Sequence, residues 1–426
     1  MATTAKSKEI QKPRQMRANN CKAIMSMFRV TDTLQISDIA REINLSKTTV
    51  SKIVMSLVNQ GFLLSNGKGA STEEGGKKPE LFSLNPQHSH CLTVGIENGK
   101  VRGCLFDMGI RLKASAEHII ENDAAFTYQE AVEVCVGLCE QLLCAAGLTK
   151  EDVFGISCYA GGIIDGKNGI LCYPIRHPHW GRDLPFQKDF QKKYGRKVPV
   201  YVENSVRFSS YAEMSNMKEK QNTSCAVIFS SPEGPGVGGC MIRRGEIVHG
   251  SSNFVGEFGH MLVAPNSHRK CICGNCGCLE AEVSPQALVQ DAYDGRAQHP
   301  DSLLEPHMHG GTLCAADVYA AADRGDAFAR ELLDKIIHSY MVCIWNIIIT
   351  SDPKTIILQG IPAGDDSYFI HTLRQKMQQI PFFGLAHQAN IELSHLGSTI
   401  VELMHRGAAL YACNKYFNDS SLYEKG

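Results

Sequence analysis

Residues 271–278 read Cys-Ile-Cys-Gly-Asn-Cys-Gly-Cys, and this short segment is the most specific stretch of the chain. Glycines between the cysteines allow a short loop to fold back, so that several sulfur atoms face one point. Thiolate sulfur binds zinc at about 2.3 Å in a tetrahedral arrangement. Cys276 and Cys278 are nearly adjacent, and a histidine lies shortly upstream, which favours three cysteines and one imidazole. The predicted ligands of a structural zinc ion are His260, Cys271, Cys273 and Cys278.

The remaining cysteines are expected to be reduced thiols and not to form a disulfide framework. The chain has 17 cysteines, an odd number, and Met1 to Arg17 lack the apolar core of a secretory signal. No uninterrupted apolar run reaches the ~18 residues of a membrane span, so we expect a cytoplasmic protein without a membrane segment. For residues 271–278 the alternative to zinc is a reduced, metal-free loop. Four cysteines in apolar stretches are predicted to be small buried residues: Cys135, Cys139, Cys144 and Cys343.

Charge is distributed unevenly along the chain. Residues 1–90 hold 13 Lys and Arg against 7 Asp and Glu, whereas the whole chain holds 43 against 44. A basic amino-terminal segment on an acidic body indicates that one part meets a polyanion and the other does not. The alternative is a solvated basic face.

Three helical patterns occupy the first 60 residues. Two short ones, at 21–28 and 36–43, precede a third that begins at Ser46, a favourable capping residue. Gly61 suits the left-handed position that ends the third helix. This helix carries an apolar stripe formed by Val50, Ile53, Val54 and Leu57.

The three helices form the pattern of a helix-turn-helix that binds double-stranded DNA. The third exposes short polar and cationic side chains near its start, which suit a major groove. Residues 62–64 and 81–84 predict two strands of a wing, and its lysine-rich tip would reach phosphates. The alternative is a plain three-helix bundle, and which of three hydroxyl residues reads bases stays open. The candidate DNA-binding residues are Lys47, Thr48, Thr49, Ser51, Lys52, Lys68, Lys77 and Lys78.

Strands and helices alternate from about residue 91 onward, which predicts an α/β fold. This pattern of strands and helices occurs twice, once before and once after about residue 205. We therefore expect two lobes with a cleft between them for a small ligand.

Several segments together resemble the ROK family, whose name stands for repressor, open reading frame and kinase. A glycine-rich stretch at 236–250 leads to Gly-Glu-Phe-Gly-His at 256–260, with phenylalanine where the family usually has an aliphatic residue. Residues 271–280 match the family's cysteine-rich signature. Residues 75–79 and 84–86 resemble the wing and linker of the repressor branch.

This resemblance implies both an architecture and a set of sugar contacts. It implies a winged helix-turn-helix domain at 1–86 and a two-lobed, actin-like and ribonuclease H-like, sugar-kinase-type domain at 87–426, with a zinc loop at 260–280. It also implies a homodimer or tetramer. The family's zinc ligands fall on the four residues chosen above. Its sugar-hydroxyl contacts fall on Asn204, Glu257, His260 and Glu280, whose groups suit a polyol.

Three departures from the family's kinases favour a regulator that is not an enzyme. Kinases of the family have Glu-Asn-Asp, whose Asp is the general base, but here Ser205 stands in its place. The glycine pair and threonine that wrap ATP phosphates are missing from Ile96–Lys100. Gln359 precedes Gly360 where the kinases have two glycines near adenosine. Losing base and phosphate cradle together leaves little machinery for phosphoryl transfer.

The function that follows is repression of carbohydrate-utilisation genes, modulated by a bound sugar. One alternative is a sugar kinase with an accessory DNA-binding domain, and another is a regulator controlled by a protein partner. The basic loop 176–182 and Arg207 leave open a sugar-phosphate effector. A solvated loop in which Trp180 stacks on the sugar is the competing interpretation.

Overall fold

The computed structural model describes residues 13–29, 31–68, 79–195, 197–217, 224–231, 236–381, 389–396 and 399–423. Two candidate DNA-binding residues, Lys77 and Lys78, lie outside these ranges. The chain divides into two compact units. Unit 1 comprises Met1–Gly162, Gly166–Glu203 and Ala408–Gly426, and unit 2 comprises Ile163–Asp165 and Asn204–Gly407.

The described part of the chain combines helices and strands, as expected for an α/β fold. The described helices are, in chain order, α1 Pro13–Phe28, α2 Ile36–Glu42, α3 Lys47–Asn59, α4 Tyr128–Ala146, α5 Phe186–Tyr194, α6 Ser205–Asn216, α7 Leu279–Val283, α8 Pro285–Gly295, α9 Glu305–His309, α10 Ala315–Asp323, α11 Ala327–Ser351, α12 Tyr368–Gln378 and α13 Ile400–Asn418. The described strands are β1 Leu34–Gln35, β2 Leu63–Lys68, β3 Glu80–Leu84, β4 His90–Ile96, β5 Lys100–Asp107, β6 Leu112–Ile119, β7 Val153–Ala160, β8 Gly162–Asp165, β9 Ile170–Pro174, β10 Val200–Asn204, β11 Ser224–Ser230, β12 Val237–Arg243, β13 Glu246–Ile247, β14 Thr355–Gln359 and β15 Asn390–Leu393.

The amino-terminal part of unit 1 is a winged helix-turn-helix. Oγ of Ser46 accepts a hydrogen bond from the backbone N–H of Thr49 over 3.1 Å, which caps α3 as predicted. Gly61 has a φ of +81°, and the N–H of Phe62 donates to the carbonyl of Leu57 over 2.9 Å to close the helix end. Strands β1, β3 and β2 form an antiparallel sheet. The predicted apolar stripe of α3 is buried.

One apolar cluster joins the winged helix to the rest of unit 1. It includes Phe62 at the start of the wing, Phe106 of β5 and Phe417 of α13. Nη1 of Arg29 also donates to Oδ1 of Asn414 over 3.0 Å. The DNA-binding part predicted at 1–86 therefore shares a core with the sheet that follows it.

The larger sheet of unit 1 has the strand order β10-β7-β4-β5-β6. Strand β4 is parallel to β7 and antiparallel to β5. Helix α4 packs on this sheet, where Gly103 of β5 lies against Leu138 and Leu142. The bounds of α4 are those predicted from the sequence, and Thr127 and Glu130 form a capping box at its start.

Unit 2 is built on a second five-stranded sheet, with the order β13-β12-β11-β14-β15. Strand β11 is antiparallel to β12 and parallel to β14. Helix α11 is long and apolar enough to cross a membrane by composition, but its side chains form much of the core of unit 2. It begins well before the predicted start at Ile336, because Oδ1 of Asp326 caps it by accepting from the N–H of Ala329 over 2.7 Å.

One strand was not anticipated from the sequence, and one expectation about burial was wrong. The sequence did not predict strand β12, because glycine has a low strand propensity. The strand needs glycine there, since a Cβ atom at Gly239 would lie 2.2 Å from the ring of Phe258. Cys144 was predicted to be buried, but it is exposed on α4.

Candidate functional site

Four potential metal ligands meet in unit 2. One ligand atom from each of His260, Cys271, Cys273 and Cys278 lies within 4.8 Å of the others. Nδ1 of His260 is 3.4 Å from Sγ of Cys271, and Sγ of Cys273 is 3.6 Å from Sγ of Cys278. Ligands about 2.1–2.3 Å from a tetrahedral zinc ion are separated by roughly 3.4–3.8 Å. The donor set and its spacing therefore fit zinc.

Glycines allow the loop to close on itself. Gly277 has a φ of +73°, and a Cβ atom there would lie 2.0 Å from the carbonyl oxygen of Ala264. The backbone N–H of Cys271 donates to the carbonyl of Asn275 over 2.8 Å, which makes a tight turn between the ligands. Cys276 is exposed and stands outside the group of four.

The three cysteines differ in acidity. Burial and the neighbouring thiol of Cys273 raise the pKa of Cys278 to about 11. Burial also raises the pKa of Cys271. At Cys273 burial acts in the same direction, but the N–H of Asn275 and the thiols of Cys271 and Cys278 donate to its sulfur and lower its pKa. Cys273 is therefore the favoured first thiolate of the group.

The carboxylate of Glu280 connects the cysteine loop to the central sheet of unit 2. Glu280 lies on α7 and is buried. Its Oε2 accepts from the backbone N–H of Val237 on β12 over 3.0 Å. Its Oε1 lies 3.5 Å from Sγ of Cys271.

Glu257 is supported by a buried cation. The short 3-10 helix Phe258–His260 follows it directly. Nη2 of Arg207 lies 4.0 Å from Oε1 of Glu257, whose side chain is 19% exposed. Arg207 was not among the predicted sugar contacts.

Asn204 and Ser205 stand at the start of α6. Oδ1 of Asn204 caps the helix by accepting from the N–H of Val206 over 2.8 Å. Ser205 is half-buried in the first turn. All four predicted sugar contacts thus lie in unit 2. His260 and Glu280 both contact Cys271, and the N–H of His260 donates to the carbonyl of Glu257 over 3.1 Å.

The segment that replaces the kinase phosphate cradle is a tight turn. The backbone N–H of Glu97 donates to the carbonyl of Lys100 over 2.9 Å, so the chain passes directly from β4 to β5. The hydroxyl of Tyr159 donates to Oε1 of Glu97 over 2.8 Å. The glycine pair and the threonine of the kinase phosphate-binding loop are missing from this turn.

The loop at 176–182 belongs to unit 1. Trp180 is buried, and its Nε1 donates to the carbonyl of Phe126 over 2.6 Å. Its ring stacks on the ring of His177 at 4.2 Å between centroids. The loop itself is largely exposed, as the solvated-loop interpretation expects, but the Trp180 ring is buried and packs within unit 1.

The candidate DNA-binding residues of α3 differ in exposure. Lys47, Thr48 and Lys52 are exposed, and Ser51 is half-buried. The hydroxyl of Thr49 is exposed but lies 2.8 Å from Oγ of Ser46, so it belongs to the helix cap. Lys68 is exposed at the end of β2. Met55, which is 41% exposed, follows Thr48 by seven residues on the same helix face.

Residues 93–409 match the ROK family. The chain belongs to the ROK family. This confirms the family inferred from the glycine- and cysteine-rich segments, and with it the sugar-kinase-like fold class. Residues 23–67 match the IclR helix-turn-helix domain, which agrees with the winged helix described above.

Relatives of this ROK protein include both repressors and kinases. The xylose repressor of Bacillus subtilis is 22% identical over 379 residues, covering 89% of this chain and 91% of that protein. The glucokinase of Halalkalibacterium halodurans is 29% identical over 251 residues, covering 59% of this chain and 74% of that protein. A crystal structure of a ROK family transcriptional regulator, a homologue of the Escherichia coli MLC protein, superposes with a TM-score of 0.74. It covers 96% of this chain and 99% of its own, at 18% identity, so the likeness concerns the fold.

Proposed function

We propose that this protein is a cytoplasmic transcriptional repressor of carbohydrate-utilisation genes whose DNA affinity changes when a sugar binds in unit 2. The observation that supports this proposal most strongly is that one chain combines a helix-turn-helix at 23–67 with a ROK domain at 93–409. The similarity to the xylose repressor extends over most of both proteins, whereas that to the glucokinase covers 59% of this chain.

The proposed DNA contact is made by α3 and the wing. Lys47, Thr48 and Lys52 present two cations and a hydroxyl on the exposed side of a helix whose other side is buried. Such a helix fits a major groove, where cations contact phosphates and short polar groups reach base edges. Lys68 extends the cationic surface onto the wing, and Lys77 and Lys78 remain proposed phosphate contacts from the sequence.

The proposed sugar contact is a set of hydrogen-bonding groups in unit 2. Carboxylate oxygens of Glu257 and Glu280 accept from vicinal hydroxyls, and the amide of Asn204 donates. The Nδ1 atom of His260 faces Cys271, so its Nε2 is the nitrogen left for a sugar hydroxyl.

Zinc is proposed as a structural ion held by His260, Cys271, Cys273 and Cys278. Its chemistry there is to bind four ligands at once and so fix the loop between them. Fixing the loop also orients the proposed sugar site, because His260 lies at one end of the loop and the other end leads into Glu280 on α7. A fixed imidazole and a fixed carboxylate lose less entropy when a sugar binds.

We propose further that phosphoryl transfer has been lost. Ser205 has no ionised form near neutral pH that could take a proton from a sugar hydroxyl. The turn at Glu97 is closed, and its carboxylate accepts from Tyr159. Gln359 is buried and donates from Nε2 to Glu213 over 2.8 Å, so its side chain belongs to the interior of unit 2. The competing function, a sugar kinase with a DNA-binding domain, is favoured by the similarity to a glucokinase.

The proposed mechanism is linkage between sugar and DNA. A sugar that prefers one arrangement of a dimer or tetramer changes the spacing of the two winged helices, and hence their fit to operator half-sites. Control by a protein partner in place of a sugar is the second alternative. Within the sugar class, both a free sugar and a sugar phosphate are compatible with the sequence.

Genomic DNA capture followed by mobility-shift assays tests the proposal. The purified protein is incubated with fragments of its own genome, and retained fragments are titrated with and without a panel of sugars. We expect specific retention, adjacent carbohydrate genes and a sugar-dependent change in affinity. Retention of no fragment would refute the proposal, and retention that no sugar alters would favour the protein-partner alternative.

A further inference from the structure

Arg207 is a buried cation that contacts the loop carrying Glu257. It stands in the first turn of α6, three residues after Asn204, and is 1% exposed. Its Nη2 donates to the carbonyl of Asn253 over 2.6 Å and to that of Val255 over 3.3 Å. Its Nη1 donates to the carbonyl of Ile164 over 3.4 Å. A buried guanidinium is tolerated because carbonyls and a carboxylate replace its hydration.

The loop that Arg207 holds lacks regular secondary structure of its own. Residues 248–257 contain three left-handed positions, Asn253 at +62°, Gly250 at +76° and Gly256 at +96°. At its far end Gly256 packs against β12, where a Cβ atom would lie 2.7 Å from the carbonyl of Gly239. Between the two carbonyls that accept from Arg207, Phe254 is 63% exposed. The guanidinium therefore fixes an exposed loop from its inner side.

We infer that Arg207 is the positioning residue of the proposed sugar site and that the site accepts an uncharged sugar. The inference rests on the proposed sugar-binding function. By holding the carbonyls of Asn253 and Val255, Arg207 fixes the loop backbone and therefore the orientation of the Glu257 side chain. Its cation also faces the Glu257 carboxylate at 4.0 Å.

The same contacts determine the charge that an effector meets. Nη2 of the guanidinium donates into the loop and Nη1 donates to Ile164 of β8, so these two groups are engaged by protein carbonyls and not by a phosphate on the ligand. Glu257 and Glu280 offer the ligand carboxylate oxygens, which accept from hydroxyl groups. Arg207 offsets the charge of Glu257 at 4.0 Å, so Glu280 is the carboxylate that repels an anion. A free aldose therefore fits this site better than its phosphate ester.

The first experiment measures the loop without a ligand. Chymotrypsin cleaves after exposed Phe254, and cleavage of the full-length protein is followed for wild type, Arg207→Met and Arg207→Lys. We expect Arg207→Met to accelerate cleavage at least about tenfold, because two hydrogen bonds from a charged group are lost. Arg207→Lys retains the charge and should be intermediate. Arg243→Met, which removes an exposed arginine of β12, is the matched control.

The second experiment measures sugar affinity by titration calorimetry with D-xylose, D-glucose and N-acetyl-D-glucosamine. For the sugar that wild type binds most tightly, we expect Arg207→Met to weaken binding about tenfold or more and Arg207→Lys to recover part of it. Glu257→Gln should cost little more in the Arg207→Met background, because both changes act on one contact. The phosphate ester of the same sugar should bind less tightly than the free sugar.

The outcomes separate this inference from the function on which it rests. If wild type binds none of the three sugars, the proposed function and this inference are both overturned. If wild type binds a sugar and Arg207→Met changes neither its affinity by more than twofold nor the cleavage rate, only the positioning role is overturned. Tighter binding of the phosphate ester would overturn the assignment of an uncharged effector.

Discussion

The Sγ atom of Cys271 lies 3.5 Å from Oε1 of Glu280, so a potential metal ligand touches a predicted sugar contact. A protonated thiol donates to that carboxylate oxygen. A zinc-bound sulfur is a thiolate and has no proton to donate, which leaves Oε1 available to a sugar hydroxyl. Metal binding and sugar binding should therefore be coupled through these two side chains.

We expect Cys271→Ser, or treatment with a chelator, to weaken sugar binding about 10- to 100-fold, the range typical for disturbed support of a metal ligand. Metal content is measured by mass spectrometry and sugar affinity by calorimetry. Cys276→Ser is the matched control, because Cys276 belongs to the same loop but stands outside the ligand group. Full sugar affinity in metal-free protein would contradict the coupling.

Restoring an acidic residue at position 205 should not restore a kinase. In Ser205→Asp the general base returns, but the closed turn at Glu97 still offers no phosphate cradle. We expect both wild type and Ser205→Asp to consume ATP with glucose well below about 1 per second, the lower end for kinases. Ser205→Ala provides the background rate. Turnover by wild type above that limit would make the kinase alternative the better account.

The exposed cation at Lys52 should contribute to DNA affinity through phosphate contact. Lys52→Ala is expected to weaken binding to all sequences and to reduce the slope of log affinity against log salt by about 1. Fluorescence anisotropy at several salt concentrations measures the slope. Lys188→Ala, an exposed lysine on α5, is the control for a general change in charge. An unchanged slope in Lys52→Ala would remove this residue from the interface.

Local signals made the winged helix and the first sheet predictable. Ser46 and Gly61 mark the two ends of α3 because each satisfies backbone groups within a few residues. The cysteine cluster was predictable for the same reason, since its ligands are close in sequence and separated by glycines. The signatures of the ROK family then indicated the remaining fold.

Long-range contacts were not predictable. Nothing around Arg207 in the sequence indicates that its partners are the carbonyls of Ile164 and Asn253, each more than 40 residues away. Strand β12 was missed because its glycines are required by the ring of Phe258, which comes from another part of the chain. The contact between the hydroxyls of Thr49 and Ser46 depends on a side-chain rotamer that the sequence does not specify.

A buried carboxylate in unit 2 provides a stability measurement that is independent of any ligand. Glu213 of α6 accepts from Nε2 of Gln359 over 2.8 Å and from the hydroxyl of Ser394. Gln359 in turn accepts from the hydroxyl of Ser209 over 2.8 Å. Burial raises the pKa of Glu213 above its ordinary value of 4.5, despite these hydrogen bonds and the nearby His395.

Because the folded pKa of Glu213 is raised, protonation stabilises the folded state. This contribution is fully present below 4.5 and is lost as pH rises through the folded pKa. Glu213→Gln keeps an oxygen that accepts from Gln359 and removes the titration. We expect the free energy of unfolding of wild type, relative to Glu213→Gln, to increase as pH is lowered from 7.5 toward ~4.5 in urea titrations. Glu42→Gln, an exposed change on α2, serves as the control, and a difference that does not vary with pH would contradict the buried, raised-pKa carboxyl.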